Sequence, residues 1–386
     1  MDFLFNADQL AMRAAVSTLC ADFDDAYWLA RDSDGAFPEQ FCAALRQAGW
    51  FGITMPREYG GAGLGISEAA LLMNVIGRLG AAAISSVHIN LFGPQPVVVF
   101  GTPEQKLRML VPLIEGRDRA CFGVTEPSVG LDTLHIKTFA TRRGDRYVVH
   151  GQKVWTSTAQ QANKILLVTR TARFEDGARP SDGITLFYTD LDRNRVQIRA
   201  IEKMARKAVD SNELFIDGLE IPVEDRIGAE GRGFEYLLHG LNPERILVAA
   251  GTLGSGAAVL DKAVRYAGER VVFDRPIGKN QAIQHPLAEC WMRLQAAELM
   301  MWKAASLYDT GLPCGVEAGA AKYLAAEANF EAATRAVRTH GGFGFAKEFH
   351  VERYFRESML PLLAPVTQEL VLCYIAERAL GLPKSY

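Results

Sequence analysis

The chain has 386 residues, 49% of them hydrophobic and 23% charged, with a formal net charge of −3. That length buries a substantial core and divides into two or three lobes. Charges of both signs are dispersed without a basic stripe, which argues against nucleic acid as a partner. The N-terminus, MDFLFNADQL, lacks the basic region of a secretory signal, and no apolar run approaches the roughly 20 residues that span a bilayer. Six scattered cysteines without a C-x-x-C fit a reducing, cytoplasmic setting. Seven histidines form neither H-E-x-x-H nor a pair at helical spacing, so no metal site is expected.

In chain order, residues 1–118 read as a helical domain. Phe41, Leu45, Trp50 and Phe51 recur at helical intervals behind Pro38. Four glycines crowd into Gly60–Gly65, which predicts a loop rather than a phosphate cradle, because no strand precedes it. A helical pattern returns over Ser67–Gly80, and Thr102-Pro103-Glu104-Gln105 is a capping box leading a helix toward Pro112. Residues 119–226 change period: Tyr147–Val149, Ile165–Val168, Gly183–Tyr188 and Val196–Ile198 are short β-type runs split by turn residues. From 227 to 386 the helical period persists. Asn242 reads as an N-cap with Pro243 at the first helical position, opening a helix over Glu244–Phe273 of roughly 45 Å. Gly251, Gly254, Gly256, Ala257 and Ala258 make it thin enough for close packing in a bundle. The chemistry is expected in the middle domain, where CFGVTEPSVGLD (121–132) and GQKVWTST (151–158) place two polar-aromatic edges side by side on a small sheet. Such an edge suits a flat heteroaromatic cofactor, with donors for its rim and an indole for its face.

These two segments resemble the TEPgaGSD and K-x-W-I-T-N segments of the acyl-CoA dehydrogenase family, and further matches run through nearly the whole chain in the family's order. The resemblance implies an α+β fold of three domains: N-terminal helices, a middle β-sheet and a C-terminal four-helix bundle. It also implies bound FAD. Thr125, with Phe122 and Val124 beside it, would meet the isoalloxazine, Trp155 would flank it, and Ser157 would face its N5. ERVVFDRPI resembles the family's E-R-x-x-F-G-x-P-I, in which arginine and phenylalanine reach the flavin of a neighbouring subunit; here they are Arg270 and Phe273, with Gln281 in the same contact. Asp274 replaces the usual glycine. HGGFGF (340–345) resembles x-G-G-x-G-F/Y, giving Gly341 and Gly342 as cofactor contacts, with Arg338 where glutamine is usual. Val351–Glu357 resembles V-E-R-x-x-R-D.

Most family members carry their base in Y-E-G-T. The matching residues are Ala364-Pro365-Val366-Thr367, so Thr367 remains as a flavin contact, Glu369 matches a further cofactor-side position, and Pro365 replaces the base. Proline cannot take a proton. The isovaleryl and long-chain types instead place the base in L-x-x-E-R, present here as Leu241-Asn242-Pro243-Glu244-Arg245. Glu244 is therefore the expected base, although a first-turn glutamate is also what a helix dipole favours. Leu241 and Arg245 are expected to meet substrate, with Leu131 at the position of a ligand-binding serine. The resemblance implies α,β-dehydrogenation of an acyl-CoA in fatty-acid β-oxidation, an electron-transfer flavoprotein as acceptor, and a homotetramer built as a dimer of dimers. An acyl-CoA oxidase or another flavin-dependent CoA-thioester enzyme lacking the usual base, and a helical binding protein that has lost its flavin, are the alternatives.

Overall fold

The computed structural model describes residues 5–173 and 179–385. Seven helices come first: α1 (Ala7–Ala21), α2 (Asp25–Asp34), α3 (Glu39–Gln47), α4 (Ile66–Gly77), α5 (Ala81–Phe92), α6 (Gln95–Phe100) and α7 (Pro103–Glu115). The expected capping box opens α7, with Thr102 and Gln105 exchanging bonds at 3.0 and 3.2 Å. Gly80, which the sequence pattern included in the fourth helix, instead precedes α5 with φ +110°.

Eight strands follow: β1 (Ala120–Gly123), β2 (Phe139–Arg143), β3 (Arg146–Ser157), β4 (Lys164–Arg170), β5 (Ile184–Asp190), β6 (Val196–Ala200), β7 (Ser211–Pro222) and β8 (Arg226–Ile227). They form one sheet in the order β6-β7-β3-β2-β4-β5-β8, with β1 parallel to β4. β3 and β7 are its longest antiparallel pair.

The remainder is helical: α8 (Gly233–Glu269), a hairpin of β9 (Val271–Val272) and β10 (Arg275–Pro276), then α9 (Gln281–Asp309), α10 (Gly315–His340), α11 (Val351–Glu357), α12 (Leu360–Leu363) and α13 (Gln368–Arg378). Helices α8, α9 and α10 pack on one another, with α13 against α10 and α4 of the N-terminal domain against α8. A Cβ at Gly254 would lie 2.0 Å from the Asn74 carbonyl of α4, so the small residues of α8 do permit close helix contact.

Two expectations change. Helix α8 begins at Gly233, and Pro243 lies inside it rather than at its start. Proline deprives the His239 carbonyl of its helical donor, and the Tyr308 hydroxyl of α9 points at that oxygen at 3.5 Å. Secondly, Ala81–Phe100 and Gly233–Glu269 are long and apolar enough to cross a membrane by length and composition. Their most apolar windows are 72% and 78% buried inside the fold, so that apolarity serves the core.

Helix α11 locks the lobes together. Arg353, almost wholly buried, pairs with Asp25 of α2 and Glu357, and donates to the Leu79 carbonyl. Glu357 accepts the Ala81 N–H at 2.7 Å, which fixes the start of α5. Arg356 bonds Asp32 at 2.6 Å and the Met204 carbonyl of the sheet domain at 3.0 Å.

Candidate active site

The loop after β1 is stapled to β3 by a buried ion pair. Lys153 Nζ donates to the Val124 carbonyl and to Glu126 Oε1, both at 2.9 Å. The Glu126 carboxylate also accepts the Lys137 and Thr138 N–H groups at 2.6 and 2.9 Å, and the Val154 N–H donates to the Thr125 carbonyl at 2.9 Å. Burial drives Lys153 down to about 8, although Glu126 opposes the shift. For Glu126 burial pushes upward, but Lys153 and the backbone donors prevail and hold its carboxyl below the ordinary value. Neither residue drew attention in the sequence, where both stood as parts of matched segments. Strand alternation was the available signal: Tyr147, Val149 and Lys153 share the inward row of β3.

The same alternation would bury Trp155. A register shift between Lys153 and Thr156 prevents it, with Trp155 in the left-handed region at φ +61°. A bulge with a non-glycine residue at positive φ re-aims a side chain at a cost of roughly 1–3 kcal/mol. The result is an indole 59% exposed at the sheet edge. Beside it, the Thr125 and Ser157 side chains are half-buried, and neither hydroxyl finds a hydrogen-bond partner among the described residues. An open indole next to two uncommitted hydroxyls fits a flat ring with polar edges, as a flavin has.

Leu237, Gly240, Leu241 and Glu244 recur at three- and four-residue intervals along one face of α8. Leu237, Gly240 and Leu241 line an apolar crevice too narrow to admit a water molecule, whose far wall is Phe92, Gly93 and Pro96 of α5 and α6 with Phe122 of β1. Phe92 and Phe122 meet edge to face at 5.7 Å. Phe122 and Leu241 thus line the same crevice. Glu244 follows on the same stripe, only 9% exposed, and its carboxylate makes no hydrogen bond among the described residues. Because α8 starts earlier than the sequence implied, Glu244 lies beyond the reach of the helix-terminal dipole. Burial raises it from 4.5 to about 7, with Arg245 pulling the other way. A carboxylate poised near neutrality in an apolar niche is what abstraction from a weakly acidic C–H requires.

Arg245 is half-buried and donates to Asn242 Oδ1 at 3.2 Å. Its charge depresses that of Lys322, which burial alone already lowers; the Lys322 pKa is about 8. Lys322 holds the Pro365–Gln368 turn by donating to the Val366 carbonyl at 2.5 Å and Gln368 Oε1 at 3.0 Å. Thr367 caps α13, accepting the Leu370 N–H. Glu369 is exposed on α13, and Leu131 is 48% exposed on the turn after β1, outside the crevice.

The remaining predicted contacts gather elsewhere. Phe273, 93% exposed at φ +52°, tips the β9–β10 hairpin, followed by Asp274 at φ +58°. That conformation accounts for the glycine the family uses there, and aspartate tolerates it better than most residues. The Arg270 guanidinium sits 5.5 Å from the Phe343 ring centre, joining the hairpin to the Gly341–Phe345 turn. Gly341 and Gly342 leave open space where a Cβ would be, and Arg338 and Gln281 are exposed. Arg270 and Glu244 lie on one helix about 39 Å apart at 1.5 Å per residue. A single chain therefore does not bring both residues to one flavin ring.

Three family models cover almost the whole chain: the acyl-CoA dehydrogenase N-terminal domain over residues 6–117, the middle domain over 121–219 and the C-terminal domain over 231–380. The chain belongs to the acyl-CoA dehydrogenase family. It is 35% identical to acyl-CoA dehydrogenase FadE12 of Mycobacterium tuberculosis, covering 100% of this chain and 99% of that one. Its structure is similar to that of butyryl-CoA dehydrogenase from Megasphaera elsdenii, with TM-score 0.94, 28% identity and coverage of 99% and 100%. It is also similar to a chain of the structure described as the electron transferring flavoprotein of Acidaminococcus fermentans, with TM-score 0.91, 30% identity and coverage of 98% and 99%. This acyl-CoA dehydrogenase is accordingly an FAD-dependent oxidoreductase acting on a CH–CH bond, and the Thr125–Trp155–Ser157 edge has the donors and the open ring face to hold that cofactor.

Proposed function

We propose that this acyl-CoA dehydrogenase uses Glu244 to remove the α-proton of an acyl-CoA while the β-hydrogen leaves as hydride, so that a C=C bond forms and 2-enoyl-CoA is released. The observation that carries this reading is the buried, unbonded Glu244 carboxylate beside the crevice, with proline at position 365. FAD, when bound, supplies the two-electron acceptor for the hydride. Ser157 and Thr125 offer free hydroxyls to the ring edge, and Trp155 shields it from water. Leu241, Phe92 and Phe122 hold the apolar part of the substrate, and Arg245 gives a charge to its polar part. Arg270, Phe273, Gln281, Arg338, Gly341 and Gly342 reach the flavin of a partner copy in a homotetramer; the 39 Å separation and the bare Phe273 support that assembly. The similarity to a chain solved with an electron transferring flavoprotein supports such a protein as acceptor. A cytoplasmic place in fatty-acid β-oxidation follows from the same reading.

Anaerobic mixing of the yellow holoenzyme with a panel of acyl-CoAs is expected to bleach the flavin. Turnover should then reduce a dye or an electron-transfer flavoprotein much faster than it consumes oxygen. Oxygen uptake at the same rate would mark an oxidase instead, and a purified protein without flavin would end the reading.

A further inference from the structure

The loop between β6 and β7, residues 201–210, is anchored at both ends to the sheet edge that carries Ser157. Ser211, where the loop ends, is the cross-strand partner of Ser157. The Ile201 N–H donates to the Ser211 carbonyl at 2.8 Å, and the Thr158 N–H donates to the Asp210 carbonyl at 3.1 Å. Lys203 Nζ adds a bond to Ser211 Oγ at 3.0 Å. The middle of the loop reaches the other domains. Arg206 Nη1 donates to Ser85 Oγ of α5 at 2.9 Å, and the Met204 carbonyl accepts from Arg356 of α11 at 3.0 Å. Helix α5 in turn lies on α8: a Cβ on Gly240 would sit 3.5 Å from the Phe92 carbonyl, and one on Gly251 2.9 Å from the Ile84 side chain. These two contacts bracket Ser85 on α5 and Glu244 on α8. A continuous path of bonds and packed helices therefore runs from Ser157 through Arg206 to the helix of the base.

Keeping Arg206 in this path costs stability in two ways. Its backbone lies in the left-handed region at φ +56°, which strains a residue other than glycine. The residue as a whole keeps some exposure, but its Nε is out of reach of solvent and has no hydrogen-bond partner. Burial pushes the guanidinium down to about 10. Glu357 of α11 supplies the counter-charge through its field, with one carboxylate oxygen given to the Ala81 N–H and Arg353 and the other unpartnered. His88, one turn along α5 from Ser85, is pushed down to about 4 by burial and then by the Arg206 charge, so it stays neutral beside that charge. An apolar side chain at 206 would avoid the desolvation cost. Strain and a desolvated charge at one position mark a residue whose placement serves function rather than stability.

We propose that Arg206 is a positioning residue for the dehydrogenation: through Ser85 and Glu357 it fixes the Trp155–Ser157 edge at the spacing from Glu244 that joint loss of proton and hydride requires. The inference rests on the acyl-CoA reading above. It concerns the hydride rather than the proton. The base and the crevice wall both belong to α8, so the α-proton meets Glu244 wherever the sheet edge sits, whereas departure of the hydride depends on how the edge is placed against α8. A misplacement of about 1 Å is the scale at which such a step loses roughly 10²-fold.

The test uses the holoenzyme of the double variant Arg206→Met with Ser85→Ala, in which donor and acceptor leave together and no buried hydroxyl is stranded. Its melting temperature, FAD content and visible spectrum are expected to match the wild type. Bleaching by the acyl-CoA that reduces the wild type fastest should slow roughly 10- to 100-fold, while α-hydrogen exchange of a thioester whose β-position cannot give up hydride keeps its wild-type rate. Arg206→Lys, whose ammonium still reaches Ser85, should recover part of the bleaching rate. Bleaching at the wild-type rate in the double variant, or bleaching and exchange falling together, would overturn the proposal. If the double variant does not fold, Ser85→Ala alone decides: it should lower the ratio of bleaching to exchange, and an unaltered ratio would overturn the proposal equally. A wild-type holoenzyme that no acyl-CoA bleaches would instead end the underlying reading, before any variant is made.

Discussion

Glu244→Gln is expected to slow flavin bleaching by an acyl-CoA by roughly 10²- to 10⁴-fold, the share a positioned general base contributes, while FAD stays bound. The amide keeps the shape and cannot accept the proton. Because burial places the carboxyl near 7, the wild-type rate should climb with pH below that value and level off above it; the glutamine variant should show no such limb. Stability supplies an independent reading. The folded carboxyl titrates above its ordinary 4.5, so between about 4.5 and 7 the folded protein holds the proton more tightly than the unfolded chain. Burying Glu244 therefore costs more as pH rises through that window, up to roughly 3 kcal/mol for a shift of this size. Thermal melts should find Glu244→Gln more stable than wild type at pH 8 and matched to it near pH 4.

Lys153→Met is expected to destabilise the fold by roughly 3–5 kcal/mol, since it strands Glu126 as a buried charge without its cation. The consequence is local before it is global: Glu126 fixes residues 137 and 138, and Lys153 fixes Val124, so the loop bearing Thr125 would be left with only the Val154–Thr125 backbone bond to β3. Urea titration should show the lower midpoint and absorbance the loss of flavin. Converting both partners, Lys153→Met with Glu126→Leu, should recover most of the stability, because paired removal leaves no bare charge.

What the sequence conveyed follows from how each feature is encoded. The three-lobe order was legible because helical and β periods alternate in long blocks, and Thr125, Trp155 and Ser157 were legible as parts of matched segments. The start of α8 was not: Asn242-Pro243 has the local form of a helix opening, and only the tertiary placement of Tyr308 near the His239 carbonyl shows why the helix continues through it. The exposed Trp155 was equally hidden, because a bulge is set by pairing with β7 and not by β3 alone. Arg206 and His88 lie far apart in the chain, and neither belongs to a recognisable motif. Their proximity arises only when the β6–β7 loop folds onto α5.

The most direct test of the central claim is exchange of the substrate's α-hydrogen with solvent. The holoenzyme, incubated in D₂O with an acyl-CoA analogue whose β-position cannot give up hydride, should incorporate deuterium at the α-carbon, and Glu244→Gln should lose that incorporation while retaining its yellow colour. Exchange at the wild-type rate in the glutamine variant would show that another group takes the proton.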